Sequence, residues 1–368
     1  MNITEVLVPA QQTAWLPWAV QYFFYIGSAY AATILFFVCY LMRAQTSHAM
    51  RSALALVMAI GGIVGPLALT ADLHQPGRAW HFFTHLTSWS WMSNGSIFLP
   101  IFSMLTVATA WLYLRDDLAA FANHSNKWLQ KISLLTLGNW KVSQKQILLL
   151  AGLTVISGLS IALYTGMEIY KVASRPLWHQ PASPLLWFST AFLGAIGLAG
   201  VILALMPSSE LNLTNLDKRI TQKTMMLSSV AAFILMIIWA SNGSEHSLFT
   251  QKDWVVSLGS MLVLFSVCAA ISRLALTDKL STIKLLGLSV ISVVCAWQLR
   301  WVTLMDVQSI PKYDVGPYPY ELPLGTNGLL GIIAMAGLWL ALAALASELV
   351  FTKKPTAQAN SSSIQSNI

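Results

Sequence analysis

Apolar runs of about twenty residues recur nine times along this chain, and they leave little freedom in what it can fold into. They lie near 17–41, 53–71, 95–114, 146–166, 185–206, 224–242, 254–275, 284–304 and 328–350. A bilayer core about 30 Å thick is crossed by about 20 helical residues, so each run reads as a transmembrane helix. A soluble protein with this many such segments would have no polar surface left. The mean hydropathy of +0.64, with 56% hydrophobic and 10% charged residues, agrees. The expected fold is an all-α membrane bundle of about nine helices. Residues 1–350 are expected to form one membrane domain, and the Ser-, Asn- and Gln-rich end, 351–368, a disordered tail.

Charge placement gives the expected orientation. The loops after helices two, four, six and eight, with the ends of their helices, hold only Arg78, Lys171, Arg175, Lys252, Arg300 and Lys312. The other fifteen of the 21 Lys and Arg lie on the opposite face. By the positive-inside rule the N-terminus is outside and the C-terminus inside. Residues 1–16 carry Glu5 and no basic residue, so they lack the n-region of a cleavable signal peptide. The net charge of +7 is a matter of topology, and no basic cluster is interleaved with a nucleic-acid recognition motif. Cys39, Cys268 and Cys295 all fall within helices and read as small apolar fillers. Without a CxxC pair, an iron–sulfur cluster in this chain is not expected.

The unusual residues gather on the outer face. Residues 70–96, TADLHQPGRAWHFFTHLTSWSWMSNGS, hold one Asp, one Arg, three His and three Trp. Two further outer loops, 164–184 and 306–327, are similarly rich. Part of the tryptophan content is an ordinary aromatic belt. Its density on one face suggests a surface that holds a flat amphipathic ligand and docks a partner. The longest inner loop, 115–145, reads as a plain solvated connector.

Asp72 ends helix two and Glu168 follows helix four. A carboxylate in the membrane costs about 2.5–3.5 kcal/mol on insertion scales, so such groups are usually paired or functional. One reading is capping, with Asp72 paired to Arg78 and Glu168 to Lys171 or Arg175; the other is proton acceptance from a quinol hydroxyl. His81 and His85, four residues apart, share a helical face, but no third ligand stands at a metal-site spacing. All seven histidines fall in loops or at helix ends, which disfavours a haem held between facing helices. Tyr22, Gln21 and Tyr164 stand at the same face, where a neutral phenol can donate to a quinone carbonyl. Arg300 is either a snorkelling side chain or a counter-ion for the acids. Gly194, Gly197 and Gly200 read as a close-packing stripe.

Six segments taken together resemble the NrfD/PsrC family of quinone-reactive membrane subunits, and within it the branch that serves tetrathionate reductases. They are WLPWAVQYFFYIG (15–27), PLALTADLHQPGRAWHFF (66–83), WSWM (89–92), YTGMEIYKVASRPLW (164–178), LRWVTLMDVQSIPKY (299–313) and YPYELPLGTNG (318–328). The resemblance implies a subunit of the bacterial cytoplasmic membrane that oxidises menaquinol. It implies electron transfer to a periplasmic iron–sulfur subunit and on to a molybdenum-cofactor catalytic subunit. Tetrathionate is the implied terminal acceptor, with thiosulfate, polysulfide or sulfite as alternatives. Tyr164, in a Tyr-x-Gly with Gly166, matches the family tyrosine that contacts the quinone ring. Where relatives carry His and Asn on helix one, this chain has Tyr22 and Ala19, and Gln21 stands in for the amide. His74 replaces a common glycine, and a ninth helix exceeds the family's usual eight.

The candidate site is therefore Tyr164 at the quinone ring, with Asp72, His81 or Glu168 accepting the protons and Tyr22, Gln21, Arg78, Trp91 and Arg300 completing the quinol pocket. Protons released outward would make turnover electroneutral. A transporter or channel, the rival class, would show inverted repeats and ionisable groups at the bilayer midplane, and no clear repeat is seen.

Overall fold

The computed structural model describes residues 13–123, 126–206, 212–242, 249, 252–277, 281–310 and 320–351. The tail 352–368, with its expected disorder, lies outside the described residues, as do 311–319 of the third outer loop, Glu5, His124, His246 and Lys312. Every regular element among the described residues is helical, and nine helices are long and apolar enough to cross a membrane. They are α1 (Pro17–Leu41), α2 (His48–Asp72), α3 (Trp91–Ala119), α4 (Gln144–Tyr170), α5 (Ala182–Leu205), α6 (Asn215–Asn242), α7 (Lys252–Ile271), α8 (Thr282–Trp301) and α9 (Leu329–Phe351).

Local chemistry sets where several of them begin. Ser47, Ser90 and Ser281 accept from the backbone N–H groups of Met50, Ser93 and Lys284, and so cap α2, α3 and α8. Ser143 and Gln146 make a reciprocal capping box at α4. Because these caps sit in polar sequence beyond the apolar runs, α2 and α3 begin about one turn earlier than hydropathy places them. At the other end of the chain, α8 continues past Trp301 through a π-helical turn, Val302–Asp306, and a final turn, Val307–Ser309.

The bundle is built around α1. It packs most extensively on α2 and also touches α4, α5 and α8. Of its most apolar window 78% is buried, against 22% for α9, which lies at the periphery against α2. The glycine stripe of α5 behaves as its sequence suggests. A Cβ on Gly194 would strike Ser28 of α1, and on Gly197 or Gly200 it would strike Ser289 of α8.

Residues 115–145 depart from the expected solvated connector. They contain a helix, Lys127–Ile132, and a 3-10 turn, Ser133–Thr136. Arg115 holds this segment, donating to the carbonyls of Thr136 (3.0 Å), Gly138 and Trp140. No local pattern announces a clamp made by one arginine across more than twenty residues.

Candidate functional site

Where α2, α3 and α4 meet at one end of the bundle there is an apolar cleft of about 440 Å³. Its walls are Ile63, Pro66 and Leu67 of α2 and Met92, Leu99 and Pro100 of α3, with Tyr164 of α4 at its base. The half-exposed Ile63, Leu67 and Met92 leave the cleft open sideways, toward lipid. Gly95 admits the Tyr164 ring: any Cβ there would collide with it. Nothing in the sequence marks Gly95 among the chain's 21 glycines. Only the helix pairing reveals it.

Behind the cleft wall, polar groups form a connected set. Tyr164 is 2% exposed and interacts with both the Tyr22 phenol and the Glu168 carboxyl, which lies one helical turn further along α4. Glu168 in turn senses Asp72 across the interface. Tyr22 Oη, Glu168 Oε2 and Gln21 Nε2 are sealed from solvent with no partner at hydrogen-bond geometry among the described residues. Buried polar atoms are rarely left unmatched, because each one costs about 1–3 kcal/mol.

Asp72 does cap a helix, but with a different partner from the one expected. Its Oδ1 accepts from the Leu16 N–H at 3.0 Å, tying the start of α1 to the end of α2. Gln308 secures the same corner, exchanging two bonds with the Trp15 backbone at 3.0 and 3.1 Å. Among the described residues, neither acid forms the salt bridge that its sequence neighbours suggested. Arg175 instead donates to the Val307 carbonyl at 2.8 Å and lies over Trp178, where burial holds its guanidinium below its usual range. Among the described residues, Glu168 has no cation within ion-pair distance.

The other sequence candidates lie further out or elsewhere. His81 and Arg78 are exposed and line a second cleft of about 510 Å³, outside the first and sharing Leu73, Ala79, Phe82 and Met92 with it. The His81 ring stacks on His85 with centroids 5.1 Å apart, and no metal-holding group of three occurs among the described residues. Trp91 opens α3, half-buried against the core, and lines neither cleft.

Arg300 does not snorkel. The helical path continues to Ser309, so at 1.5 Å per residue Arg300 lies roughly 14 Å short of that end. It is 1% exposed, donates to the Trp187 carbonyl at 2.7 Å and to Thr190, and neighbours Tyr30. Its partners are therefore α5 and α1 rather than the acids. Thr303, in the adjoining π turn, receives the indole N–H groups of Trp178 through its carbonyl and of Trp187 through its hydroxyl.

Chemically, the arrangement offers a greasy slot for a flat ring and its tail, a phenol at its base and an uncompensated carboxyl behind the phenol. That is a donor and a proton acceptor in series, shielded from bulk water.

A family described as polysulphide reductase, NrfD, matches residues 6–312. A tetrathionate reductase subunit of Salmonella typhimurium is 34% identical over 357 residues, covering 94% of this chain and 95% of the relative. A selenate reductase subunit of Mesobacillus selenatarsenatis is 23% identical over 334 residues, covering 82% and 76%.

Proposed function

The chain belongs to the NrfD family, and from that premise we propose that it is the menaquinol-oxidising membrane subunit of a respiratory reductase, with its quinol site in the cleft at Tyr164. As a multi-pass protein of the bacterial inner membrane, it meets its substrate in the lipid phase. The observation that supports the reading is the run from apolar cleft to Tyr164 and on to Tyr22 and Glu168, each of which keeps a buried oxygen without a partner among the described residues.

In this reading the quinol ring rests between α2 and α3, with its isoprenoid tail leaving through the lipid-facing opening. Tyr164 orients the ring by hydrogen bonding to a quinol oxygen. Glu168 takes the two quinol protons one after the other as the two electrons leave, and Asp72, half-exposed and adjacent, passes each toward water beside His81. The Tyr22 hydroxyl beside Tyr164, and the Gln21 amide next to it in α1, are further hydrogen-bonding groups for the second oxygen. Arg78 and His81 form the polar mouth, Trp91 steadies the start of α3, and Arg300 supplies a fixed positive charge deeper in the bundle. Residues 1–350 act as one membrane domain, with the cleft on the periplasmic face as the lysine and arginine distribution suggests.

Electrons leave to an iron–sulfur subunit docked on that face and reach a molybdenum-cofactor catalytic subunit. The 34% identity to a tetrathionate reductase subunit along almost the full length favours tetrathionate as the terminal acceptor. The more distant selenate reductase relative supports the membrane role but not a choice of oxidant. With quinol protons released to the side that receives the electrons, turnover is electroneutral. A voltage-sensitive dye in proteoliposomes should stay silent during quinol oxidation.

The decisive test titrates purified protein with a fluorescent quinol-analogue inhibitor and compares wild type with Tyr164→Phe. Saturable quenching, weakened about tenfold by loss of one buried hydroxyl contact worth roughly 1–1.5 kcal/mol, is expected. Equal affinity in a correctly folded variant would remove Tyr164 from the site.

A further inference from the structure

At the end of the bundle opposite the cleft, residues 127–145 carry a feature that quinol oxidation does not use. The segment between α3 and α4 does not project away from the bundle but folds back along α3. Trp111 donates its indole N–H to the Leu135 carbonyl at 2.8 Å, and Arg115 lies over the Trp140 ring at 4.1 Å. Trp111 and Arg115 precede the end of α3 by eight and four residues, so the segment reaches back about 6–12 Å along that helix at 1.5 Å per residue.

What it turns outward at that depth is apolar. Leu134 and Leu137 are each 72% exposed, Leu135 is 55% exposed and Trp140 42%. Exposed lysines flank them, Lys127 before and Lys141 and Lys145 after. The arrangement is held rigidly, with Leu137 in the left-handed region at φ 50° beside Gly138 at φ 107°. A non-glycine residue in that conformation persists only where its surroundings impose it, and here the Arg115 clamp does so.

We propose that residues 127–145 form a built-in interfacial segment that sinks its leucines and Trp140 into the adjoining leaflet and gathers anionic phospholipid headgroups with Lys127, Lys141 and Lys145. Interfacial segments lie in the headgroup–acyl boundary with apolar side chains inward and lysines on the polar side, and the order of exposed leucines and lysines here follows that pattern. Lysine is depleted at protein–protein interfaces, so a ring of lysines around a leucine patch fits a lipid surface better than a protein partner. The inference is independent of the quinol reading.

The test places a single environment-sensitive fluorophore on Leu134→Cys in the full chain. The three native cysteines are buried, which keeps the label specific. The protein is reconstituted in vesicles of phosphatidylcholine with or without phosphatidylglycerol, bearing nitroxides either on the acyl chains or on the phosphatidylglycerol headgroups. The expected result is blue-shifted emission quenched by acyl-chain nitroxides, with headgroup-labelled phosphatidylglycerol enriched around the probe. Combined Lys127→Gln, Lys141→Gln and Lys145→Gln changes should abolish that enrichment, by roughly fivefold per lysine at full effect, while insertion persists. Emission typical of water with quenching by aqueous iodide would overturn insertion. Equal enrichment of both lipids would overturn the anionic preference. Shielding from lipid and iodide alike would assign the patch to a protein partner and overturn the proposal.

Discussion

The two ends of the bundle treat buried charge in opposite ways. At the end away from the cleft, the fully buried Asp217 accepts from the backbone N–H groups of Ser47 at 3.0 Å and Thr214 at 2.8 Å. There His48 bridges Asp117 at 3.0 Å and Tyr113 at 2.8 Å, and Arg51 donates to the same phenol at 3.1 Å. At the cleft end, among the described residues, Glu168 has no cation in ion-pair range, and Tyr22 and Gln21 each keep a polar atom with no partner. The first pattern fastens helix ends. The second leaves a carboxyl and a phenol free to meet a ligand, as the proposed quinol site requires.

That contrast can be broken by exchanging the roles of carboxylates. Glu168→Gln should lower quinol oxidation about a hundredfold or more, the usual contribution of a positioned proton acceptor, while the unfolding midpoint stays level or rises because an unpaired buried acid is gone. Asp217→Ala should do the reverse. Two orphaned N–H groups should lower stability by about 1–3 kcal/mol each in a thermal melt, while turnover per folded molecule is retained.

Subtler changes sharpen it. Asp72→Asn keeps an oxygen for the Leu16 N–H but loses the proton relay, so turnover should fall about tenfold, near 1.4 kcal/mol in barrier, with little change in melting. Gly95→Ala drives a methyl into the Tyr164 ring and should raise the quinol KM severalfold with a smaller effect on kcat. The smallest effect is expected from His81→Gln at the exposed mouth, within about twofold of wild-type turnover, since the proton has already reached water there.

Much of this is legible in the sequence, for identifiable reasons. The nine spans are, because each must stay apolar for about twenty residues whatever its neighbours are. The setting of Glu168 is not, since the apolar run ends near residue 166, whereas α4 continues to Tyr170 and carries Glu168 one turn beyond Tyr164. Gly95 is not, since its meaning lies in a ring brought up by α4. The pairing of the acids is not, for a related reason. Sequence proximity suggests Arg78, Lys171 and Arg175, whereas Asp72 finds a backbone amide 56 positions away and Arg175 a carbonyl 132 positions away. The loop 115–145 reads as soluble because its charges are counted along the chain. Its leucines become a patch only once Arg115 folds it back.

The location of the quinol is the centre of this account, and photolabelling addresses it most directly. Membranes containing the intact complex would be irradiated with an azido-quinone that supports turnover, and the labelled peptides of this chain identified. Labels on the α2 and α3 walls, within residues 62–73 and 92–103, and lost in competition with excess menaquinone, are the predicted result. Competable label confined to other helices, with these two segments unmodified, would contradict it.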